Sequence, residues 1–562
     1  MNNEQRCMEN EDIFEKLTRV IRSSDNDLNG GITKQFLNLK TLTQEVDFIL
    51  ELLSKYNISL HYIRDSKNNK KSSDLRISGN KLFSVKKDED ALKMYTYSIA
   101  FAEDKSEYLG LAYANRSAVL FRLGFFEECL KDIERALENN YPITLKQKIN
   151  ERKEKALCLK SKQKSLKYYQ NIPSIDVNEK NPLIECASNS VELRNDPKQG
   201  RFIVATKDIQ IGEIIAVEHP TFTVLTDARW CHCYHCLTLC YNLLPCKTCT
   251  KALFCSSNCR VKSNYYHKYE CPVLATIESL GYNQCRFLPL RVAISMKEHF
   301  ATLEELELEK LDSVYKSGRY KELHHLVTNQ QHRTPSDIFE RVTCTALFFK
   351  LLKEHTDFFE SDDDAKLIFD SLLFQHLQTM ACNFHDINEL SLNSDGIYES
   401  TQLGAGAYNF LSLFNHSCNP NVCRTSYGTT EVVSAVRTIR KGEQLFDNYG
   451  FHYGIHPKSM RQASLKKQYH FDCNCQACSN NWATVQDLKH KDEPFHFVEY
   501  HESLANAVVE VAKKIRPSVI KALQELEKNI PCFEFCQVQE ILKQCDGIFG
   551  NVRRCLNSDS FT

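Results

Sequence analysis

Apolar residues recur every three to four positions near the N-terminus, as Phe14, Leu17, Val20 and Ile21 and then as Val46, Ile49, Leu52 and Leu53. That spacing places them on one face of a helix, so residues 1–70 are expected to form a helical extension that ends in a polar linker at 64–71. Near residue 181 the period changes to two. Gly200-Arg201-Phe202-Ile203-Val204-Ala205-Thr206 and Gly212-Glu213-Ile214-Ile215-Ala216-Val217-Glu218 read as two strands joined by a turn around 208–212. Residues 273–390 return to helical spacing and close on Thr379-Met380-Ala381-Cys382-Asn383, with Glu360-Ser361-Asp362-Asp363-Asp364 as a solvated connection. Gly404-Ala405-Gly406 reads as a tight turn and strands follow at 421–424 and 430–436. Val508, Val511, Ile515, Val519, Leu523 and Leu526 mark a C-terminal helical bundle.

Between these regions the chain repeats itself. Gly79-Asn80-x-x-Phe83, followed by Ala91-Leu92-x-x-Tyr95-x-x-Ser98-Ile99, is echoed by Ala114-Asn115-Arg116-Ser117, Leu123-Gly124, Cys129-Leu130 and Ala136-Leu137. A period of about 35 to 38 residues is that of tetratricopeptide helix pairs, and a third, degenerate unit is expected at 142–159. The small and aromatic positions pack helix on helix. The polar ones, Arg76, Asn80, Asn115, Lys148 and Arg152, resemble the clamp with which this repeat class holds terminal carboxylates, which would suit an acidic chaperone C-terminal tail.

Composition narrows the function. The 562 residues allow about three to four domains and carry 71 Lys+Arg against 72 Asp+Glu. No strong field draws such a chain to nucleic acid or to an acidic membrane. The 25 Cys come without a charged-then-apolar leader, and the apolar runs are too short for a bilayer, so a reducing, intracellular setting with metal-bound cysteines is expected.

The cysteine spacing supports that expectation. Cys233-x-x-Cys236, Cys246-x-x-Cys249, Cys255-x-x-x-Cys259 and His267-x-x-x-Cys271 offer eight soft ligands, enough for two closed tetrahedral zinc sites. Filled ligand shells fold a segment and do not catalyse, and each structural zinc contributes roughly 10 to 16 kcal/mol of apparent binding energy. Cys231, His232, His235 and Cys240 are surplus, and Cys231-x-Cys233 leaves the register open. Further on, Asn415-His416-Ser417-Cys418-Asn419-Pro420-Asn421 is followed by Gly442-Glu443-x-Leu445-x-x-x-Tyr449 and Cys473-x-Cys475-x-x-Cys478.

In this order the motifs resemble the SET and MYND domain lysine methyltransferases, in the branch that carries tetratricopeptide repeats ahead of SET. The resemblance covers about residues 70 to 480. It implies an α+β multidomain chain: a β-rich SET fold split by a zinc-binding MYND finger and a helical insert, flanked by tetratricopeptide-like helices and a C-terminal helical domain. The implied boundaries are 71–175 for the repeats, 181–230 for the first SET part, 231–272 for the finger, and 273–395 for the insertion. The SET core, the post-SET zinc segment and the C-terminal helices would then occupy 396–450, 451–480 and 481–562. The finger's interleaved pairing implies Cys233, Cys236, Cys255 and Cys259 at one ion and Cys246, Cys249, His267 and Cys271 at the other. Cys418, Cys473, Cys475 and Cys478 match a third zinc site. Asn415 and His416 match contacts to S-adenosylmethionine, as do Asn383 and the loop at Gly200 and Arg201. Phe471 matches the aromatic near the adenine, and Tyr449 the tyrosine at the target-lysine channel and a neighbour of the cofactor. Three departures stand out: Pro197-Lys198-Gln199-Gly200-Arg201-Phe202 keeps one glycine of the usual Gly-x-Gly turn, Asn409 replaces a common Pro, and Asn448 replaces a β-branched residue.

The implied activity is S-adenosylmethionine-dependent methylation of a histone or non-histone lysine, in nucleus and cytoplasm, with partners recruited by the finger and the repeats. A lysine ammonium has no lone pair, and neutralising it at pH 7 costs about 4 to 5 kcal/mol. A dry aromatic channel beside a sulfonium favours the neutral amine, and alignment at effective molarities of about 10⁵ to 10⁸ M can supply much of the remaining acceleration. The rival reading is a weak or inactive adaptor or transcriptional co-repressor, gripping proline-containing peptides with the finger and chaperone tails with the repeats.

Overall fold

The computed structural model describes residues 13–23, 31–163, 168–197, 199–226, 228–281, 284–303, 314–360, 364–489 and 497–556. Lys198 of the first cofactor loop and 361–363 of the acidic connection lie outside the described residues.

Helices α1 (Ile13–Ser23), α2 (Gly31–Leu37) and α3 (Leu42–Lys55) bury Leu17, Ile21, Val46, Ile49, Leu52 and Leu53. Their apolar face packs against Val342, Ala346, Leu347 and Phe374 of the distant helical insertion. The echoing segment forms α4 (Asn69–Ser84), α5 (Asp88–Phe101), α6 (Glu107–Leu123), α7 (Phe126–Glu138) and α8 (Lys146–Leu159). Gly79 lies against the Tyr95 ring, and a Cβ there would come within 2.6 Å of it, which is why the repeat needs a small residue at this crossing. Trp230, just ahead of the finger, and Cys231 and Tyr241 within it join this repeat core. The fully buried Arg116 donates to Asp132 and to Leu243 O, tying the repeats to the finger.

Strands β1 (Val191–Asp196), β2 (Gly200–Ala205), β3 (Ile214–Glu218) and β4 (Phe222–Leu225) precede the finger. Here the structure differs from the expected strand pair around 208–212. β2 pairs antiparallel with β1, whereas β3 pairs with a strand about 215 residues onward. The finger holds β5 (Leu244–Pro245), β6 (Leu253–Phe254) and α9 (Ser257–Lys262). α10 (Asn264–Ser279), α11 (Gln284–Ser295), α12 (Tyr320–His324), α13 (Pro335–His355) and α14 (Ala365–Asn383) complete the helical insertion.

The return to strands comes earlier than its spacing indicates. Phe384–Leu392, assigned above to the helical insertion, is β7, and it pairs with β8 (Tyr398–Ala407). Gly404-Ala405-Gly406 is therefore strand and not turn. A Cβ on Gly404 would sit 2.3 Å from Val224 O, so the glycine permits β4 and β8 to approach. β9 (Asn415–His416), β10 (Val422–Tyr427), β11 (Thr430–Ala435) and β12 (Phe446–Asp447) follow, with β11 joining β10 to β3. α15 (Lys458–Tyr469) and α16 (Gln476–Ser479) lead to α17 (His501–Ala505), α18 (Val509–Leu526) and α19 (Phe533–Phe549), and β13 (Val552–Arg553) closes the described chain beside β7. Among the described residues no helix is long and apolar enough to cross a membrane.

Candidate functional site

Two short parallel strands organise the site. β9 and β12 pair Asn415 with Phe446 and Asp447 with His416. The asparagines around them act as braces: Asn421 Oδ1 accepts from Phe446 N at 2.7 Å while its Nδ2 donates to Gln444 O at 3.0 Å, and Asn448 Nδ2 donates to Ser417 O at 3.0 Å. Asn421 thus fastens the two crossing segments together.

The turn that delivers Asn415 is held from behind. Glu218 accepts from Phe410 N and Leu411 N, both at 2.8 Å. Fully buried Asn409 donates to Thr221 Oγ1, Ser317 O and Arg319 O, so the carboxamide at this unusual position makes contacts that a proline could not.

The Tyr449 backbone N–H donates to His416 Nδ1 at 3.1 Å, which places the imidazole proton on Nε2, 3.4 Å from Cys418 Sγ. Burial lowers the His416 pKa to about 4, keeping the ring neutral. Tyr449 Oη donates to Phe414 O at 2.7 Å. Burial raises the Tyr449 phenol well above its ordinary range, and nearby Asp447 adds to the shift, so it remains protonated at neutral pH. The Tyr449 ring lies 4.7 Å from Tyr469 and 5.1 Å from His416, and Phe471 lies 6.1 Å from His416.

All seven residues expected at the cofactor, Gly200, Arg201, Asn383, Asn415, His416, Tyr449 and Phe471, line one cleft of about 790 Å³. Gly200 is in the left-handed region, with φ +70°, and nothing lies within 4 Å of where its Cβ would be. Arg201 Nη2 donates to His325 O at 2.8 Å and its buried Nη1 has no hydrogen-bond partner. Asn383 does not simply end its helix, because its Nδ2 donates to Val327 O at 3.0 Å and Thr379 O at 2.9 Å. Tyr469, Gln444, Asn329 and Asn474 also line the cleft and were not singled out from the sequence. Tyr469 was findable, since it precedes Phe471 by two residues, and His470 between them takes φ 64°, turning the chain back at the end of α15.

Three sets of four side chains bring one ligand atom each within 4.8 Å of one another: Cys233, Cys236, Cys255 and Cys259; Cys246, Cys249, His267 and Cys271; and Cys418, Cys473, Cys475 and Cys478. Zn–S bonds of about 2.3 Å in a tetrahedron put sulfurs about 3.8 Å apart. The separations fit: Cys236–Cys255 3.7 Å, Cys246–Cys271 3.9 Å and Cys418–Cys473 3.9 Å. Each set could hold a zinc ion. The surplus residues lie elsewhere: His232 Nε2 is 3.3 Å from Tyr168 Oη, and His235 Nδ1 is 3.0 Å from Tyr266 Oη.

Three of the five clamp-like polar residues are engaged within the repeats. Asn115 Nδ2 and Tyr95 Oη both donate to Asn80 Oδ1, and Arg152 Nη1 donates to Ala114 O and Ser117 Oγ. Lys148 is exposed, and Arg76 has a buried Nε without a hydrogen-bond partner.

Comparison with known proteins agrees with this architecture. Residues 200–450 match the SET domain family. Protein-lysine N-methyltransferase SMYD4 of Pongo abelii is 26% identical over 533 residues, covering 72% of this chain and 66% of its own length. The Danio rerio SMYD4 is 25% identical over 507 residues, covering 73% and 65%. Human N-lysine methyltransferase SMYD2 is 27% identical over 303 residues, covering 53% and 63%. The chain thus spans about two thirds of the length of the SMYD4 relatives it matches. A crystal structure of the SET domain of LSMT bound to lysine and AdoHcy aligns at 14% identity with a TM-score of 0.22, over 64% of this chain and 86% of that one. With a SET domain match at residues 200–450 and SET strands interrupted by a two-site cysteine finger and a helical insertion, this chain is similar to the SET and MYND domain-containing (SMYD) proteins.

Proposed function

We propose that the chain is an S-adenosylmethionine-dependent protein-lysine N-methyltransferase. The observation that carries this reading is the single cleft shared by Gly200, Arg201, Asn383, Asn415, His416, Tyr449 and Phe471. When bound, S-adenosylmethionine supplies an electrophilic methyl group, and the lysine amine is the nucleophile. The chain's residues prepare that encounter. Tyr449 gives its hydroxyl proton to Phe414 O, so its oxygen is left to accept an N–H from the amine and aim the nitrogen lone pair. The rings of Tyr449 and Tyr469 exclude water and favour the neutral amine. His416, braced on the Tyr449 backbone and on Cys418, is a positioning residue that fixes the tyrosine relative to Asn415. Three structural zincs fit the ligand sets described, and the third would fasten Phe471 over the cleft.

Calorimetric titration with S-adenosylhomocysteine tests the reading. Saturable binding at one site is expected, and a flat isotherm would leave only the adaptor role. We further propose that the repeats recruit partners with acidic C-terminal tails, of the chaperone type, through Arg76 and Lys148. Fluorescence anisotropy with an acidic-tailed peptide should show weaker binding in Arg76→Ala and Lys148→Ala, and equal binding in both variants would remove this role.

A further inference from the structure

A separate cavity of about 430 Å³ adjoins the cofactor cleft, between residues 181–193 on one side and Tyr315 and α12 on the other. Arg201 lines both spaces. Backbone pairing sets the frame of the cavity. Tyr315 N donates to Leu183 O at 2.8 Å and Glu185 N donates to Tyr315 O at 3.1 Å. Asn181 Oδ1 accepts from Leu183 N at 2.9 Å and its Nδ2 donates to Val191 O at 2.6 Å. These contacts hold the walls in one arrangement.

Four polar atoms on these walls are buried and have no hydrogen-bond partner: Arg201 Nη1, Tyr315 Oη, Glu322 Oε2 and Asn189 Oδ1. Glu322 is 1% exposed and Tyr315 6%. The two charged groups are each half engaged. Arg201 Nη2 donates to His325 O at 2.8 Å and Glu322 Oε1 accepts from Arg319 Nη2 at 2.6 Å, but among the described residues Arg201 and Glu322 form no ion pair with each other. Glu192, also on the wall, is paired with Arg194. Burial, with Glu218 and Glu322 nearby, holds the Tyr315 phenol well above its ordinary range, so it stays protonated and can donate. Buried polar atoms left without partners are costly, and an occupant that satisfies them offsets the cost.

The pattern of charges selects that occupant. A lone anion would meet Glu322 and a lone cation would meet Arg201. A metal ion does not fit either, because among the described residues the only side-chain groups close enough to share one are the three cysteine sets. Two donors, Arg201 and Tyr315, and two acceptors, Glu322 and Asn189, suit a molecule that carries an anion and an N–H cation on neighbouring atoms. A free α-amino acid is such a molecule, whereas a residue inside a peptide has lost both charges to amide bonds. Ile184, Val191 and Leu193 add an apolar wall. We propose that this cavity binds a free α-amino acid with an apolar side chain, its carboxylate on Arg201 and Tyr315 and its ammonium on Glu322 and Asn189. The binding does not depend on the methyltransferase reading.

The test is calorimetric titration of the full chain with L-leucine, L-methionine and L-phenylalanine, each under saturating S-adenosylhomocysteine so that an amino acid lodged in the cofactor cleft is not counted. At least one of the three should bind at a single site. Its amide, which lacks the carboxylate, and its N-acetyl derivative, which lacks the ammonium, should each bind about tenfold more weakly or worse. Tyr315→Phe removes only the hydroxyl and keeps the ring beside Phe410, and it should weaken the amino acid about tenfold. Glu322→Gln keeps an oxygen for Arg319 and should weaken it about 10- to 100-fold. Where Glu322→Gln does not fold, Tyr315→Phe decides. Binding by none of the three amino acids would mean that water alone fills the cavity and would overturn the proposal. Equal affinity for the amide, or an affinity that the folded variants leave unchanged, overturns it as well. A chain that binds the amino acid but not S-adenosylhomocysteine would lose the enzyme reading and keep this site.

Discussion

Tyr449 illustrates how much one side chain depends on what it touches. Its hydroxyl is tied to Phe414 O, its backbone to His416 and its ring to Tyr469, so the phenol is placed before any substrate arrives. Tyr449→Phe keeps the ring and removes the oxygen. The expected result is a fall of about 10²-fold in kcat with S-adenosylhomocysteine affinity within about twofold, read by single-turnover kinetics and calorimetry. A parallel loss of affinity would mean that the hydroxyl holds the cleft together and does not orient the amine. Gly404 is a structural counterpart. Its Cβ would meet Val224 O at 2.3 Å, and a backbone oxygen in a strand cannot step aside. Gly404→Ala should cost about 1 to 3 kcal/mol, seen as a lower midpoint in urea unfolding.

At the scale of elements, legibility followed how local the determining physics is. Zinc ligands reveal themselves because a tetrahedron restricts the spacing between thiolates, and the four-residue sets gather as their interleaved pairing implies. Strand pairing is less local. β3 finds β11 across about 215 residues, and nothing in Gly212 to Glu218 names that partner, so a hairpin with β2 was the natural but mistaken expectation. β7 was missed because Phe384 to Leu392 follows α14 without a break, and its partner β8 carries glycines that resemble a turn. Tyr469 was within reach of the sequence through its spacing to Phe471, but its packing on Tyr449 shows only in the fold. The third cysteine set makes a sharper case. Cys418 O accepts from Tyr453 N at 3.0 Å, Cys418 Sγ lies beside His416 Nε2, and Phe471 precedes Cys473 by two residues. A zinc there would couple the heptad at 415–421 to the segment that closes the cleft. Cys418→Ser should therefore lower the zinc count from three to two by metal analysis and weaken S-adenosylhomocysteine binding about tenfold. An unchanged affinity in a two-zinc protein would separate the joint from the cofactor site.

Across the whole molecule the modules are joined by buried polar contacts as well as by apolar packing. Glu389 of β7 meets Tyr168 before the SET strands, His232 of the finger, and Arg553 of β13, which also reaches Glu89 of the repeats. The Arg116–Asp132 pair joins α6 to α7 within the repeats, with both side chains fully buried and Arg135 as a second donor to Asp132, and the two arginines reach the finger through Leu243 O and Asn242 O. Removing one partner of such a pair strands the other charge in a low dielectric, which costs about 3 to 5 kcal/mol, whereas replacing both with apolar groups costs less. Asp132→Ala should thus be the more damaging change, and Arg116→Met combined with Asp132→Leu should recover part of the loss, short of full recovery because Leu243 O then lacks its donor. The measurement is available in the chain itself. It has two tryptophans, Trp230 in the repeat–finger core and Trp482 packed 5.0 Å from Tyr453 beside the third cysteine set. In a Trp482→Phe background, Trp230 fluorescence in urea reports that interface alone. If Asp132→Ala shifts its midpoint no more than the double replacement does, the ion pair is not what holds Arg116 in place against the finger.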